Sequence, residues 1–196
     1  MKVYAWTVVP ESAPSVLRNC PKCGVKRPYQ SSGLFRVNAQ QRNLDVWLVY
    51  RCPHCKSSWN LEIYARVRPE QIDPAEYAAF LSNDPETAMG AALDRDILRR
   101  NKAEVQWEEL VCQVEGCIPG VEELTTPVCI RMQGKWPLPL RADRLLREKL
   151  GLSRSAMDKL AEEGRLVVEG NLRKLKLDQP REFVLLPAAS DMEQAK

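Results

Sequence analysis

Cys20-Pro21-Lys22-Cys23-Gly24 and Cys52-Pro53-His54-Cys55 decide how this chain is read. Each is a C-x-x-C pair with proline after its first cysteine. Two cysteines three positions apart on a tight turn can aim both sulfurs at one ion, and a second such pair completes a tetrahedron with metal–sulfur bonds of about 2.3 Å. Proline stiffens each turn, and Gly24 supplies permissive backbone behind the first. The expected site is a four-cysteine structural zinc centre with Cys20, Cys23, Cys52 and Cys55 as ligands. An iron–sulfur cluster or a single iron would use the same ligand type. Two disulfides would suit an exported chain. However, the opening Met1 to Pro10 (MKVYAWTVVP) has no charged region, apolar core and cleavage site in succession, so the expectation is a soluble, cytoplasmic protein with reduced thiols. A redox C-x-x-C opens a helix in a βαβ setting, whereas turn or strand residues follow both pairs here.

The 28 residues between Cys23 and Cys52 are accounted for by a β-hairpin. Phe35, Val37 and Ala39 alternate with Arg36 and Asn38, Gln40 to Asn43 reads as the loop, and Leu44 to Tyr50 is apolar on both faces apart from Asp45, as in a covered central strand. Trp59, Leu61 and Ile63 alternate again after the second pair. Knuckle, hairpin, knuckle and strand describe a zinc ribbon. Residues 2–9 read as a further strand ended by Pro10 and Pro14, with Trp6 expected to join Trp47 and Trp59 in the ribbon core.

Charge is unevenly spread. The net charge is +3, but residues 1–66 carry ten Lys/Arg against three Asp/Glu, residues 67–137 seven against thirteen, and residues 138–196 twelve against ten. A basic ribbon suggests a polyanionic partner; neutralisation of zinc-bound thiolates is the alternative reading. One histidine, His54, is present. It reads as a spacer within its pair, and every mechanism needing two histidines or a histidine beside another nucleophile elsewhere is disfavoured. No Gly-rich phosphate loop or nucleophile motif is visible, which leans against an enzyme. No apolar run reaches the length of a membrane span.

Asp73-Pro74-Ala75-Glu76 and Asn83-Asp84-Pro85-Glu86 are helix starts, with an acidic cap, proline at the first helical position and glutamate behind it. The second helix is expected to run to about Asn101. The helices should cover one face of the ribbon through Tyr77, Phe80 and Met89. From Ala103 the period changes to two, predicting strands near residues 105–114 and 128–132 joined by an acidic loop, with Cys112, Cys117 and Cys129 as free buried or half-buried thiols. Trp136-Pro137-Leu138-Pro139 marks a boundary. The predicted domains are therefore 1–66, 67–135 and 136–196, the last forming a separate lobe.

The last segment reads as a helix from Arg141 to Leu150 and a helix from Arg154 to Glu163 capped by Ser153, with Ala156, Leu160 and Ala161 inward. A strand at Arg165–Val168 and a closing strand at Phe183–Leu186 follow. Residues 141–176 hold ten bases and six acids. Arg141-Ala142-Asp143-Arg144-Leu145-Leu146, Leu152-Ser153-Arg154-Ser155 and Glu163-Gly164-Arg165-Leu166-Val167-Val168 resemble the S-four domain, the small RNA-binding αL module named after a ribosomal small-subunit protein. Glu169-Gly170 stands where that family has an asparagine–glycine turn. Over nearly its whole length, the chain also resembles an uncharacterised bacterial family, a domain of unknown function, on Phe35-Arg36-Val37-Asn38-Ala39, Leu44-Asp45-Val46-Trp47-Leu48 and the cysteine pair after them. The expected fold is α+β: a zinc-ribbon sheet packed with a helical segment, then an S-four-like module. The expected function is a zinc-containing, non-enzymatic adaptor that binds structured RNA (rRNA or tRNA) through Arg141, Arg144, Ser153, Arg154, Lys159 and Arg165. The competing expectation is a protein-interaction module in which the ribbon grips a protein and the C-terminal helices no longer bind RNA.

Overall fold

The computed structural model describes residues 1–40, 42–119 and 126–187. The fold is α+β. Its contacts divide the chain into Pro10–Val111 and a unit made of Met1–Val9 with Cys112–Lys196. These divisions do not fall at the expected 66/67 and 135/136.

The Pro10–Val111 unit holds β2 (Val16–Asn19), β3 (Lys26–Gln40), β4 (Asn43–Arg51), β5 (Ser58–Val67) and β6 (Glu104–Val105) in one antiparallel sheet of order β5-β4-β3-β2-β6. The hairpin is longer than its alternating core implies, because β3 begins at Lys26 and pairs with β2 before it turns to β4. Gln40 and Asn43, the ends of the expected loop, are instead paired strand residues; Gln41 lies outside the described residues. In β4, Leu44, Val46, Leu48 and Tyr50 are buried while Trp47 and Val49 are half-buried, so one face is a core face and the other is covered only in part. The register places Arg36, Trp47 and Glu62 side by side on that second face.

Three short helices cover the core face: α1 (Pro74–Ser82), α2 (Pro85–Leu93) and α3 (Arg95–Arg100). Phe80, Ala88, Ala91, Ala92 and Leu98 bury against Leu44, Val46, Leu48, Leu61 and Ile63. Phe80 meets Phe35 edge-on at 4.8 Å between ring centroids. Fully burying a side chain such as Phe80 or Leu98 stabilises by roughly 1.5–3 kcal/mol. The expected single helix to Asn101 is two helices, because Asp94 leaves the helical region (φ −67°, ψ 112°) and its carboxylate accepts from Asp96 N and Ile97 N, starting α3 afresh. Polar side chains then pin helix ends to strands. Asn83, at the end of α1, accepts from Phe35 N at 2.7 Å beside the irregularity in β3. Asn101 accepts from Glu62 N at 2.9 Å and donates to Glu62 O at 2.8 Å, taking the place of a neighbouring strand along the edge of β5.

The second unit is built on a mixed sheet of order β10-β12-β8-β1-β7, from β1 (Lys2–Pro10), β7 (Cys112–Glu115), β8 (Val128–Gly134), β10 (Leu166–Val168) and β12 (Arg181–Leu185). β1 and β8 run parallel, from Lys2 opposite Val128 to Val8 opposite Gly134. Trp6 is therefore not a ribbon residue: it is buried in this sheet, and its indole donates to Cys117 O at 2.8 Å. Gly116, at φ 122°, lies so close to Ala5 that a Cβ there would fall 2.2 Å from Ala5 O. The strands around residues 105–114 are also shorter than the two-residue period suggests: a 3-10 turn at Trp107–Glu109 separates β6 from β7.

The C-terminal segment adds β9 (Leu138–Arg141), α4 (Ala142–Lys149), α5 (Arg154–Glu162) and β11 (Lys176–Leu177), which pairs with β9. Leu145 and Leu146 of α4 are buried. In α5 the buried residue is Met157; Ala161 is exposed. β12 lies between β10 and β8, so this segment shares its sheet with the N-terminal strand and is not a lobe beyond Pro139. Cys129 is buried and Cys112 half-buried as expected, while Cys117 is exposed. Among the described residues, no helix is long and apolar enough to cross a membrane.

Candidate metal centre and arginine-lined cavity

The two knuckles repeat one backbone design. Cys20 N donates to Val25 O at 3.0 Å, and its carbonyl accepts from Gly24 N at 2.9 Å; Cys52 N donates to Ser57 O, and its carbonyl accepts from Lys56 N, both at 2.9 Å. The fourth residue after each leading cysteine is left-handed: Gly24 at φ 69° and Lys56 at φ 62°. Each turn buries its leading cysteine more deeply than its second: Cys20 and Cys52 are buried, Cys23 and Cys55 half-buried. The four sulfurs lie within 4.8 Å of one another. Around a tetrahedral ion with bonds of about 2.3 Å, sulfurs stand about 3.8 Å apart, so the cluster is the right size for one ion with no large movement. Four cysteines thus form a possible metal site.

Two hydroxyls and the histidine surround it. Ser57 Oγ lies 3.2 Å from Cys20 Sγ and 3.1 Å from Cys55 Sγ, and Tyr29 Oη is 3.1 Å from Ser57 Oγ. His54 does not join the cysteines as a fifth inward group; it is exposed, with Nδ1 3.5 Å from Cys23 Sγ. The Ser57 hydrogen bond lowers the Cys20 thiol to about 5 and also lowers Cys55, whereas desolvation, reinforced by the neighbouring sulfurs, pushes Cys23 up to about 12. Four thiols this close do not all ionise together without a cation among them. Ser57 and Tyr29 carry no C-x-x-C signal. The hint available from sequence is position: Ser57 falls two residues after Cys55, where the second turn closes.

The predicted RNA-contacting residues separate into two groups. Arg141, Arg144 and Arg154 line one cavity of about 210 Å³ together with Asp143, Arg147, Met157, Asp158, Leu172 and Arg173. Arg141 ends β9 as the cap residue of α4, Arg144 and Arg147 follow it at every third residue along α4, and Arg154 opens α5. Asp143 holds the Arg141 guanidinium bidentately and raises its pKa further; Asp158 holds Arg173 at 2.9 Å. Ser153 acts as the α5 cap, accepting from Ala156 N at 3.1 Å. Lys159 and Arg165 do not line the cavity: both face Glu163, at 3.7 and 3.4 Å, and Arg165 also donates to Leu186 O. Arg147 and Arg173 were not singled out by motif. The spacing of three from Arg144 could have flagged the first; the second comes from a 3-10 turn at Leu172–Lys174 that packing brings beside α5.

The family model described as "Protein of unknown function (DUF1062)" matches residues 37–171. The chain belongs to the DUF1062 family. The matched stretch of this DUF1062 member takes in Cys52 and Cys55 but starts after Cys20 and Cys23, and it includes the cavity arginines of α4 and α5 but ends before Arg173. Neither the curated proteins nor the solved structures include a match to the chain.

Proposed function

We propose that this chain is a zinc-containing protein that binds structured RNA, rRNA or tRNA in kind, as a non-enzymatic adaptor. In this reading the four cysteines and their strands are a zinc ribbon, and α4, α5 and the strands after them are an S-four-like module. The observation that carries the reading is the gathering of five arginines from the end of β9, α4, α5 and one turn around a single cavity. Structured RNA is read largely by shape and backbone contacts, and guanidiniums on two short helices supply those. The zinc would be structural, since its binding energy in such sites is folding energy.

The test is anisotropy titration of a labelled RNA hairpin at several salt concentrations. Arg144→Ala and Arg154→Ala should each weaken binding and lower the slope of log affinity against log salt by about 0.7–0.9. Unchanged affinity and slope in the double variant would end the RNA reading of this cavity and favour a protein partner. Elemental analysis should give about one zinc per chain; iron in its place would refute the metal assignment.

A further inference from the structure

The cavity has two features that contacts to an RNA backbone do not require. Its volume, about 210 Å³, is below the roughly 300–1,000 Å³ of sites that enclose a whole small molecule. It therefore accepts the end of a molecule. It is also overcharged. Asp143 is committed to Arg141 and Asp158 to Arg173, whereas Arg144, Arg147 and Arg154 have no carboxylate partner among the described residues. Arg147 is half-buried there, where an anion would interact with it more strongly than in open water. A phosphodiester brings one negative charge and continues in both directions, which suits an open groove. A terminal phosphate brings about −1.5 to −2 and three acceptor oxygens, and arginine forks match such oxygens in pairs. Buried Met157 and half-buried Leu172 supply the apolar part of the lining, against which the first sugar can rest.

We infer that this cavity is a site for a terminal phosphate monoester, such as ends an RNA strand, held by Arg144, Arg147 and Arg154. The inference rests on the RNA reading of the same cavity, and the two fail in different ways.

The experiment compares one RNA hairpin, labelled at its 3′ end, carrying either a 5′-monophosphate or a 5′-hydroxyl, titrated into the full chain; adenosine 5′-monophosphate is titrated alone as a third arm. The phosphorylated hairpin is expected to bind about tenfold more tightly, the gain from charge-assisted hydrogen bonds. That preference should vanish in Arg147→Gln and in Arg154→Gln. Arg147→Lys keeps the charge but loses the fork, so it should retain only part of the preference; it also serves if a glutamine variant melts early. Equal affinity for the two hairpins overturns the phosphate site and leaves RNA binding standing. Saturable binding of adenosine 5′-monophosphate with no binding of either hairpin supports the site, names a free nucleotide as its source and overturns the RNA reading. Failure of all three ligands to bind overturns both.

Discussion

Lys56 occupies the left-handed position that Gly24 fills in the other knuckle, and it does so with a side chain. Its ammonium reaches Pro53 O at 2.8 Å, an exposed bond that recovers little. A non-glycine residue at this φ costs on the order of 1–2 kcal/mol, against roughly 0.5–1 kcal/mol of extra chain entropy for glycine. Lys56→Gly should therefore match wild type to within about 1 kcal/mol in urea unfolding, whereas Lys56→Val, with branching at Cβ, should lose roughly 1–3 kcal/mol. Equal loss in both would show that the lysine side chain matters and the backbone angle does not. Asn101 presents the opposite case, a side chain doing the work of backbone. Its amide satisfies both the N–H and the carbonyl of Glu62. Asn101→Ala should cost about 1–2 kcal/mol and speed amide exchange at Glu62 in particular; unchanged exchange there would mean that the edge of β5 does not depend on this contact.

At the scale of elements, the helical layer is assembled from caps. Asp73, Asp84 and Asp94 each begin a helix with their carboxylates on backbone N–H groups. Asp84 also accepts from the Thr87 hydroxyl at 2.7 Å, and this hydrogen bond, followed by that from Thr87 N, lowers its pKa. A carboxyl depressed in the folded state contributes stability that is fully present above its unfolded value near pH 4 and is lost as pH falls through the folded value. The stability gap between wild type and Asp84→Ala should accordingly be constant from pH 7 to 5 and close below pH 4. A gap that persists undiminished at pH 2.5 would rule out the ionised cap as its source. The same caps explain why α2 and α3 are separate. A 3.6-residue apolar period can run through Asp94, but a carboxylate that finds two N–H partners in a non-helical conformation competes with continuation of the helix.

At the scale of the whole molecule, β1 is the strand that most constrains its unit, since it lies between β8 and β7 with Tyr4, Trp6 and Val8 buried. Deleting residues 1–9 would strip β7 of its ladder, leave β8 paired with β12 alone, and open the buried faces of Ile130 and Met132. The truncated chain should lose the cooperative unfolding transition of this unit, seen as loss of amide protection in β8 and β12. Retained protection there would show that the C-terminal strands fold without β1. Metal removal should act on the other unit. A chelator, or Cys52→Ser, should abolish protection in β3 and β4, because the knuckles hold the two ends of that hairpin and metal-binding energy is folding energy. A fully protected hairpin in metal-free protein would refute this.

The sequence by itself determined the features whose causes lie within a few residues. The paired knuckles follow from Cys-Pro-x-Cys turns, the helix starts at Asp73 and Asp84 from Asp and Pro at fixed offsets, the hairpin from alternation on each side of Gln40–Asn43, and the start of α5 from the Ser153 cap. Only the tertiary structure decided what depends on partners distant in the chain. No local pattern in Lys2–Val8 announces a parallel partner at Val128–Gly134, because a strand's alternation specifies its two faces and not its neighbours. For that reason Trp6 is legible as a core residue but not as a member of this sheet, and the boundary read at Trp136–Pro139 gives way to a sheet closed by β12. The metal ligands were legible because two short turns carry them. Ser57, which touches two of the sulfurs, Tyr29, which touches Ser57, and Arg173, which completes the cavity, were not, because a single hydroxyl or guanidinium gains its role only when packing sets it within about 3 Å of its partner.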